Sequence, residues 1–158
     1  MTLSPGDTGV YARHADRIDR AVQVGTASGR VVAVEFPATV PEDAESAGAI
    51  LDRLLDYLDG EEDQFQDVSV ALTVPTDQRA VLEATRNVPY GETVDPERIA
   101  QMATGIDPND DDDQRTVRSA LQSNPVPILV PDHRVRGIDG ATPSDVASTL
   151  REMEGIRY

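Results

Sequence analysis

The sequence predicts an α+β fold, with a small N-terminal α/β unit over residues 1–73 and a winged helix-turn-helix unit over residues 74–158. Three patterns carry that expectation. Two β-rich segments are split by a tight-turn pair, a long helical repeat follows them, and after Thr73 three short helical patterns come in quick succession, punctuated by proline and glycine.

Taken in order, a flexible start gives way to AVQVG (21–25) and VVAVEF (31–36), which read as a hairpin turning at Ser28-Gly29. Between Asp43 as N-cap and Gly60 as stop, Ala47, Leu51, Leu54, Leu55 and Leu58 fall at helical spacing. DVSVALT (67–73) alternates Val68, Val70 and Leu72 as a half-buried strand does. Thr76 can cap a helix that runs to about Arg86 and stops at Asn87 and Pro89. Asp95-Pro96 opens the next, with Ile99, Met102 and Ala103 on its apolar side and Gly105 at its end. The run DPNDDDD (107–113) reads as a solvated loop. Its acids complement the positive N-terminal end of the helix over 112–123, and this local role is preferred to metal binding. In that helix Val117, Ala120 and Leu121 form a narrow buried side, and Arg115, Arg118, Ser119 and Gln122 share a polar stripe. A strand VPILV (126–130) and a hairpin tip at Ile138-Asp139-Gly140 complete a layout used by DNA-binding proteins. The expectation is an exposed reading helix running into a strand that ends at a cleft.

Composition narrows the chemistry. The 158 residues include no cysteine, which excludes disulfides, thiolate zinc sites, iron–sulfur clusters and a thiol nucleophile. Length excludes a barrel enzyme and a dinucleotide-binding enzyme with a separate substrate domain. No apolar run approaches ~18 residues and no signal-peptide layout opens the chain, so a soluble cytoplasmic protein is expected, with no membrane partner. Fourteen bases, all arginine, face 29 acids, a net charge of −15. At about 1 M salt the Debye length is only ~3 Å and the self-repulsion nearly vanishes. The composition resembles that of haloarchaeal proteins, and in such salt global charge does not decide whether the chain meets nucleic acid.

Three blocks, VPYGET (88–93), RTVRSAL (115–121) and NPVPILVPDHRV (124–135), resemble in order and spacing the methylated-DNA–protein-cysteine methyltransferases, the suicide alkylguanine repair proteins. The likeness extends more loosely through LLDYLDG (54–60) and covers most of residues 20 to 155. It implies a ribonuclease-H-like N-terminal unit before the winged-helix unit, no cofactor, no metal, and double-stranded DNA, alkylated or plain, as partner to a monomer. It also implies site residues. Arg115 takes the place of the arginine that fills the gap left by a flipped nucleotide, with Arg118, Ser119, Gln122, Asn124 and Arg134 beside it on DNA. Asn124 supports the hinge after the reading helix. His133 and Glu154 form the hydrogen-bond relay, and Pro96, Asp132, His133 and Val135 line the pocket. Where the family has its alkyl-accepting cysteine this chain has Asp132, a condition shared with the alkyltransferase-like proteins, which bind alkylguanine without repairing it. The family tyrosine after G-E-T is Pro96 here, and the pocket loop is the shorter GIDGATPSD (137–145).

An in-line displacement on a soft alkyl carbon needs a thiolate, and a carboxylate is a poorer nucleophile for it. Thiol-dependent transfer is therefore excluded. The resemblance implies non-enzymatic recognition of DNA or alkylguanine, with a repair-protein partner to act on the marked lesion. Two alternatives stay open: an enzyme using Asp132 and His133 on an extruded base with Glu154 orienting the histidine, and a domain turned protein-interaction or regulatory module. On the plainer reading Arg115 and Arg118 are solvated arginines facing the aspartate run, Asp132 and His133 a buried pair that orients the strand, and Glu154 the polar side of the last helix.

Overall fold

The structure, a computed structural model, describes residues 8–156. It divides into two compact units, Met1–Ala71 and Leu72–Tyr158.

In the first unit β1 (Gly9–Ala15), β2 (Arg20–Ala27) and β3 (Arg30–Glu35) form an antiparallel sheet in the order β1-β2-β3. The β2–β3 hairpin turns at Ser28-Gly29, where both residues have positive φ (54° and 75°), the conformation that matches the twist of the strands it joins. The expected flexible start is corrected from residue 9 onward: β1 pairs along its whole length with β2. Residues 1–7 lie outside the described residues. Helix α1 (Ala49–Leu58) begins at Gly48 rather than at Asp43, leaving Ala47 exposed before it, and buries Leu51, Leu54, Tyr57 and Leu58 against β1 and β2. The strand expected at 67–73 is reduced to one parallel bridge, Val31 with Val70. A matching bridge from Tyr11 to Glu45 meets β1, so single residues cover both edges of a short sheet.

The second unit is helical. Thr76–Arg86 forms α2, Pro96–Met102 forms α3, Asp111–Gln122 forms α4 and Ser144–Glu154 forms α5. Helices α2, α3 and α4 pack pairwise, around Val81, Leu82, Ile99, Val117, Ala120 and Leu121. The aspartate run acts locally. Asp110 caps α4 by accepting the amides of Asp112 and Asp113, Asp113 accepts the amide of Asp107, and three of the acids belong to the first helical turn rather than to a loop.

The strand at 126–130 is not formed. Prolines 125, 127 and 131 remove donors that a ladder needs, Ile128 has φ +75°, and the segment folds into a wholly buried turn held by Val130 N–H to the Val126 carbonyl. The hairpin tip at 138–140 is absent as well. Residues 134–136 bond instead to Val94, through Val94 N–H to the Arg134 carbonyl and Arg136 N–H to the Val94 carbonyl. No helix among the described residues is long and apolar enough to cross a membrane.

Candidate functional site

The site is built on a short 3-10 turn, Asp132–Arg134, that follows the buried proline segment and packs against α5. All three side chains are buried, which puts three ionisable groups in the interior and requires partners for each.

Asn124 organises the approach. Its amide donates to the Val130 carbonyl at 2.8 Å and to Asp132 Oδ2 at 2.9 Å, and its oxygen accepts Val126 N–H at 3.0 Å. One side chain thus ties the end of α4 to the turn. Because Asn124 is buried in these contacts, its assignment as a DNA contact is corrected to a framework role. Asp132 Oδ2 also accepts the amide of Thr142 at 3.3 Å. Gly140 lies so close that a Cβ there would overlap the Asp132 carboxyl, so the 138–142 loop is laid directly on the acid. Burial is the largest influence on Asp132 and raises its carboxyl above the ordinary range; Thr142, Asn124 and the His133 ring pull the other way without cancelling it.

Behind Asp132 stands a buried ionic network. His133 Nε2 donates to Glu154 Oε2 at 2.8 Å. Arg134 binds the same carboxylate through Nε (2.8 Å) and Nη2 (3.0 Å), and its Nη1 donates to the Val88 carbonyl at 2.8 Å. Gly91, at φ +80°, turns its amide to Glu154 Oε1 at 3.0 Å, a geometry that a residue with a side chain adopts only at a cost. The Arg134 guanidinium also lies 5.5 Å from the Tyr90 ring centre. Burial alone would raise the Glu154 carboxyl, but the donors from His133 and Arg134 outweigh it and hold the acid well below the usual carboxylate range.

Arg134 is therefore corrected from a DNA contact to the buried counter-ion of Glu154. VPYGET and HRV supply this network together: the Val88 carbonyl, the Tyr90 ring and the Gly91 amide all converge on Arg134 and Glu154. Within VPYGET the glycine is the residue that permits this approach, through its positive φ.

A cleft of about 230 Å³ opens beside Asp132 and His133, with Gly140, Thr142, Ala147 and Arg151 among its other walls. Two expected pocket residues are not in it. Pro96 lines a separate cleft of about 320 Å³ between α3 and the start of α4, which also includes Arg118, and Val135 is buried in the core. On α4, Arg115, Arg118, Ser119 and Gln122 are all exposed on one side. Arg115 Nη1 meets Asp112 Oδ1 at 2.7 Å, but both side chains are open to solvent, where such a pair is worth little. The C-terminal end of α4 reaches the cleft through the Leu121 carbonyl, which accepts Ala141 N–H from the cleft loop.

Chemically, the arrangement keeps a carboxylate–imidazole pair and offers a buried acid in front of it. Among the described residues no group of three or more histidine, aspartate or glutamate side chains converges on a metal position.

Residues 76–155 match the family model for the 6-O-methylguanine DNA methyltransferase, DNA binding domain. The methylated-DNA–protein-cysteine methyltransferase of Methanosarcina acetivorans is 32% identical over 127 residues, covering 77% of this chain and 78% of that protein. The one from Metallosphaera sedula is 29% identical over 133 residues, 80% of this chain and 81% of the relative. Among solved structures, Mycobacterium tuberculosis OGT in complex with DNA matches with a TM-score of 0.67 and 24% identity over 92% of each chain, a likeness of fold. The chain therefore belongs to the methylated-DNA–protein-cysteine methyltransferase family, and it does so without a cysteine.

Proposed function

We propose that this protein binds double-stranded DNA through α4 and accepts an extruded, alkylated guanine in the Asp132 cleft without removing the alkyl group. The observation that carries this is the continuity between the two: an exposed arginine-bearing stripe on α4 whose C-terminal end is tied by Leu121 and Asn124 to the cleft loop and to Asp132. Helices α3 and α4 serve as the helix-turn-helix pair, and Arg115 enters the stack in place of the extruded nucleotide. Extrusion costs a few kcal/mol, which the inserted side chain and the cleft contacts offset. The composition suits a salt-loaded cytoplasm.

Transfer to Asp132 is disfavoured on physical grounds. One carboxyl oxygen is engaged by two N–H donors, and burial favours the neutral acid, which is the non-nucleophilic form. The bound lesion then serves as a mark for a separate repair protein.

The test is fluorescence anisotropy of a labelled duplex in molar potassium chloride. Arg115→Ala is expected to lower affinity about tenfold or more, and Arg118→Ala by less. Unchanged affinity in Arg115→Ala overturns the role of α4. If the wild-type chain binds no duplex, the DNA reading itself fails.

A further inference from the structure

Helix α5 turns one face toward the cleft. Ser144, Ala147 and Arg151 fall at i, i+3 and i+7 on that face, and all three line the cleft. Glu154 continues the same face at i+10 and meets His133 and Arg134 there. Ala147 is nearly buried, and its short side chain leaves space that a longer one would fill. Arg151 is half-buried. A long side chain on a helix leans toward the N-terminus, which lays the Arg151 guanidinium over the turn that carries Ala147. The facing wall is the Gly140–Thr142 loop, held on Asp132.

An arginine brings a planar fork of N–H donors and no acceptor. The exposed Asp139 carboxyl in the same lining disfavours an anion beside it. The ligand that suits such a wall is a neutral ring with two acceptors side by side. Guanine has that edge in N7 and O6, whereas adenine places an amino donor beside N7.

We propose that Arg151 reads the N7–O6 edge of an extruded guanine and so sets which base the cleft accepts. Alkylation leaves this edge in place, because N7 is untouched and the alkylated oxygen keeps a lone pair. Arg151 thus admits guanine with or without the lesion. Preference for the lesion then comes from extrusion, which costs least for a damaged base. The inference rests on the proposed binding of an extruded guanine and adds the residue that tells it from the other purine.

The experiment takes base pairing out of the comparison by placing the test base opposite an abasic site. Anisotropy in molar potassium chloride is measured on duplexes carrying guanine, O6-methylguanine, 7-deazaguanine or adenine there, beside a fully paired duplex. Wild type should bind the guanine and O6-methylguanine duplexes within about twofold of each other, and about tenfold more tightly than the adenine duplex. The 7-deazaguanine duplex, which lacks the N7 acceptor, should bind severalfold more weakly than guanine. Arg151→Ala should bring all the test bases to one affinity while the paired duplex is bound as before. Arg151→Lys, which can donate to the same edge, should keep part of the preference. Wild type binding adenine or 7-deazaguanine as tightly as guanine overturns the inference. So does an Arg151→Ala loss spread evenly over every duplex, which assigns the side chain to the phosphate backbone. Wild type binding unpaired guanine no more tightly than the paired duplex overturns extrusion itself, and binding of no duplex overturns the DNA reading beneath it.

Discussion

Glu154 is held by four N–H groups from three residues, His133, Arg134 and Gly91, and Asp132 by two, from Asn124 and Thr142. Both acids are buried, but their linkage to pH runs in opposite directions. The folded Glu154 carboxyl lies below its ordinary value of 4.5, so its contribution is fully present above that value and is lost progressively as pH falls from there toward the lower folded value. The folded Asp132 carboxyl lies above 3.8, so the fold loses stability as pH rises from that value and the unfolded chain ionises first. Glu154→Gln leaves the Arg134 charge buried without a counter-ion, and urea melts at neutral pH should show a loss of about 3–5 kcal/mol, shrinking toward acid pH. A loss under about 1 kcal/mol contradicts the buried network. Asp132→Asn should gain stability relative to wild type as pH rises from acid to neutral, read in the same melts. Much of this site is legible in the residues themselves: Asn124, Asp132 and His133 stand in the NPVPILVPDHRV block, and Glu154 matches the family's relay glutamate near the C-terminus, outside the three blocks. Arg134 was not placed correctly, because an arginine carries no sign in the sequence of whether its charge meets a phosphate or a buried glutamate. Thr142 and Gly140 were invisible, since their roles exist only once the loop has folded back onto Asp132.

At the level of elements, α2 keeps its expected span, but Thr76 is its first helical residue and Pro75 stands at the N-cap. By contrast, α3 has Asp95 at its N-cap, without a side-chain capping bond, and Pro96 in its first turn as Asp95-Pro96 implies. Helix α4 starts one residue earlier than its periodicity suggests, because the aspartates that look like a loop satisfy its free amides. Asp110→Ala removes that cap and should cost about 0.5–2 kcal/mol in thermal or urea unfolding. No change would mean that the acids act only through charge. Strand expectations fared worse for an identifiable reason. VPILV has a strand's composition, but alternate prolines cannot donate to a ladder, and the buried turn that forms instead has Asn124 supplying the missing backbone partners. DVSVALT alternates as a strand does, yet only Val70 bridges to β3. β1 carries no clear strand alternation, since GVYARHA exposes the apolar Val10 together with His14, and it gains its order from pairing with β2.

Across the whole molecule the net charge of −15 sets the conditions under which everything else operates. Self-repulsion at low ionic strength is long-ranged and is screened to ~3 Å at about 1 M salt. The melting temperature should therefore climb steadily with potassium chloride from the millimolar to the molar range, as followed by circular dichroism, and a flat dependence would contradict an adaptation to salt. DNA affinity should rise along the same axis, because Asp110, Asp111, Asp112 and Asp113 stand at the start of the very helix that carries Arg115 and Arg118. Ordinary DNA-binding proteins weaken as salt increases, so the opposite slope is diagnostic.

The central claim is that a member of an alkyl-transfer family retains the lesion-binding site and performs no transfer. The measurement that meets it most directly is mass analysis of both partners after prolonged incubation of the wild-type chain with an O6-methylguanine duplex in molar potassium chloride, under conditions where anisotropy reports a complex. The complex should form with the methyl group still on the DNA and the protein mass unchanged. Loss of the methyl group from the duplex, with or without its appearance on the protein, would contradict the account.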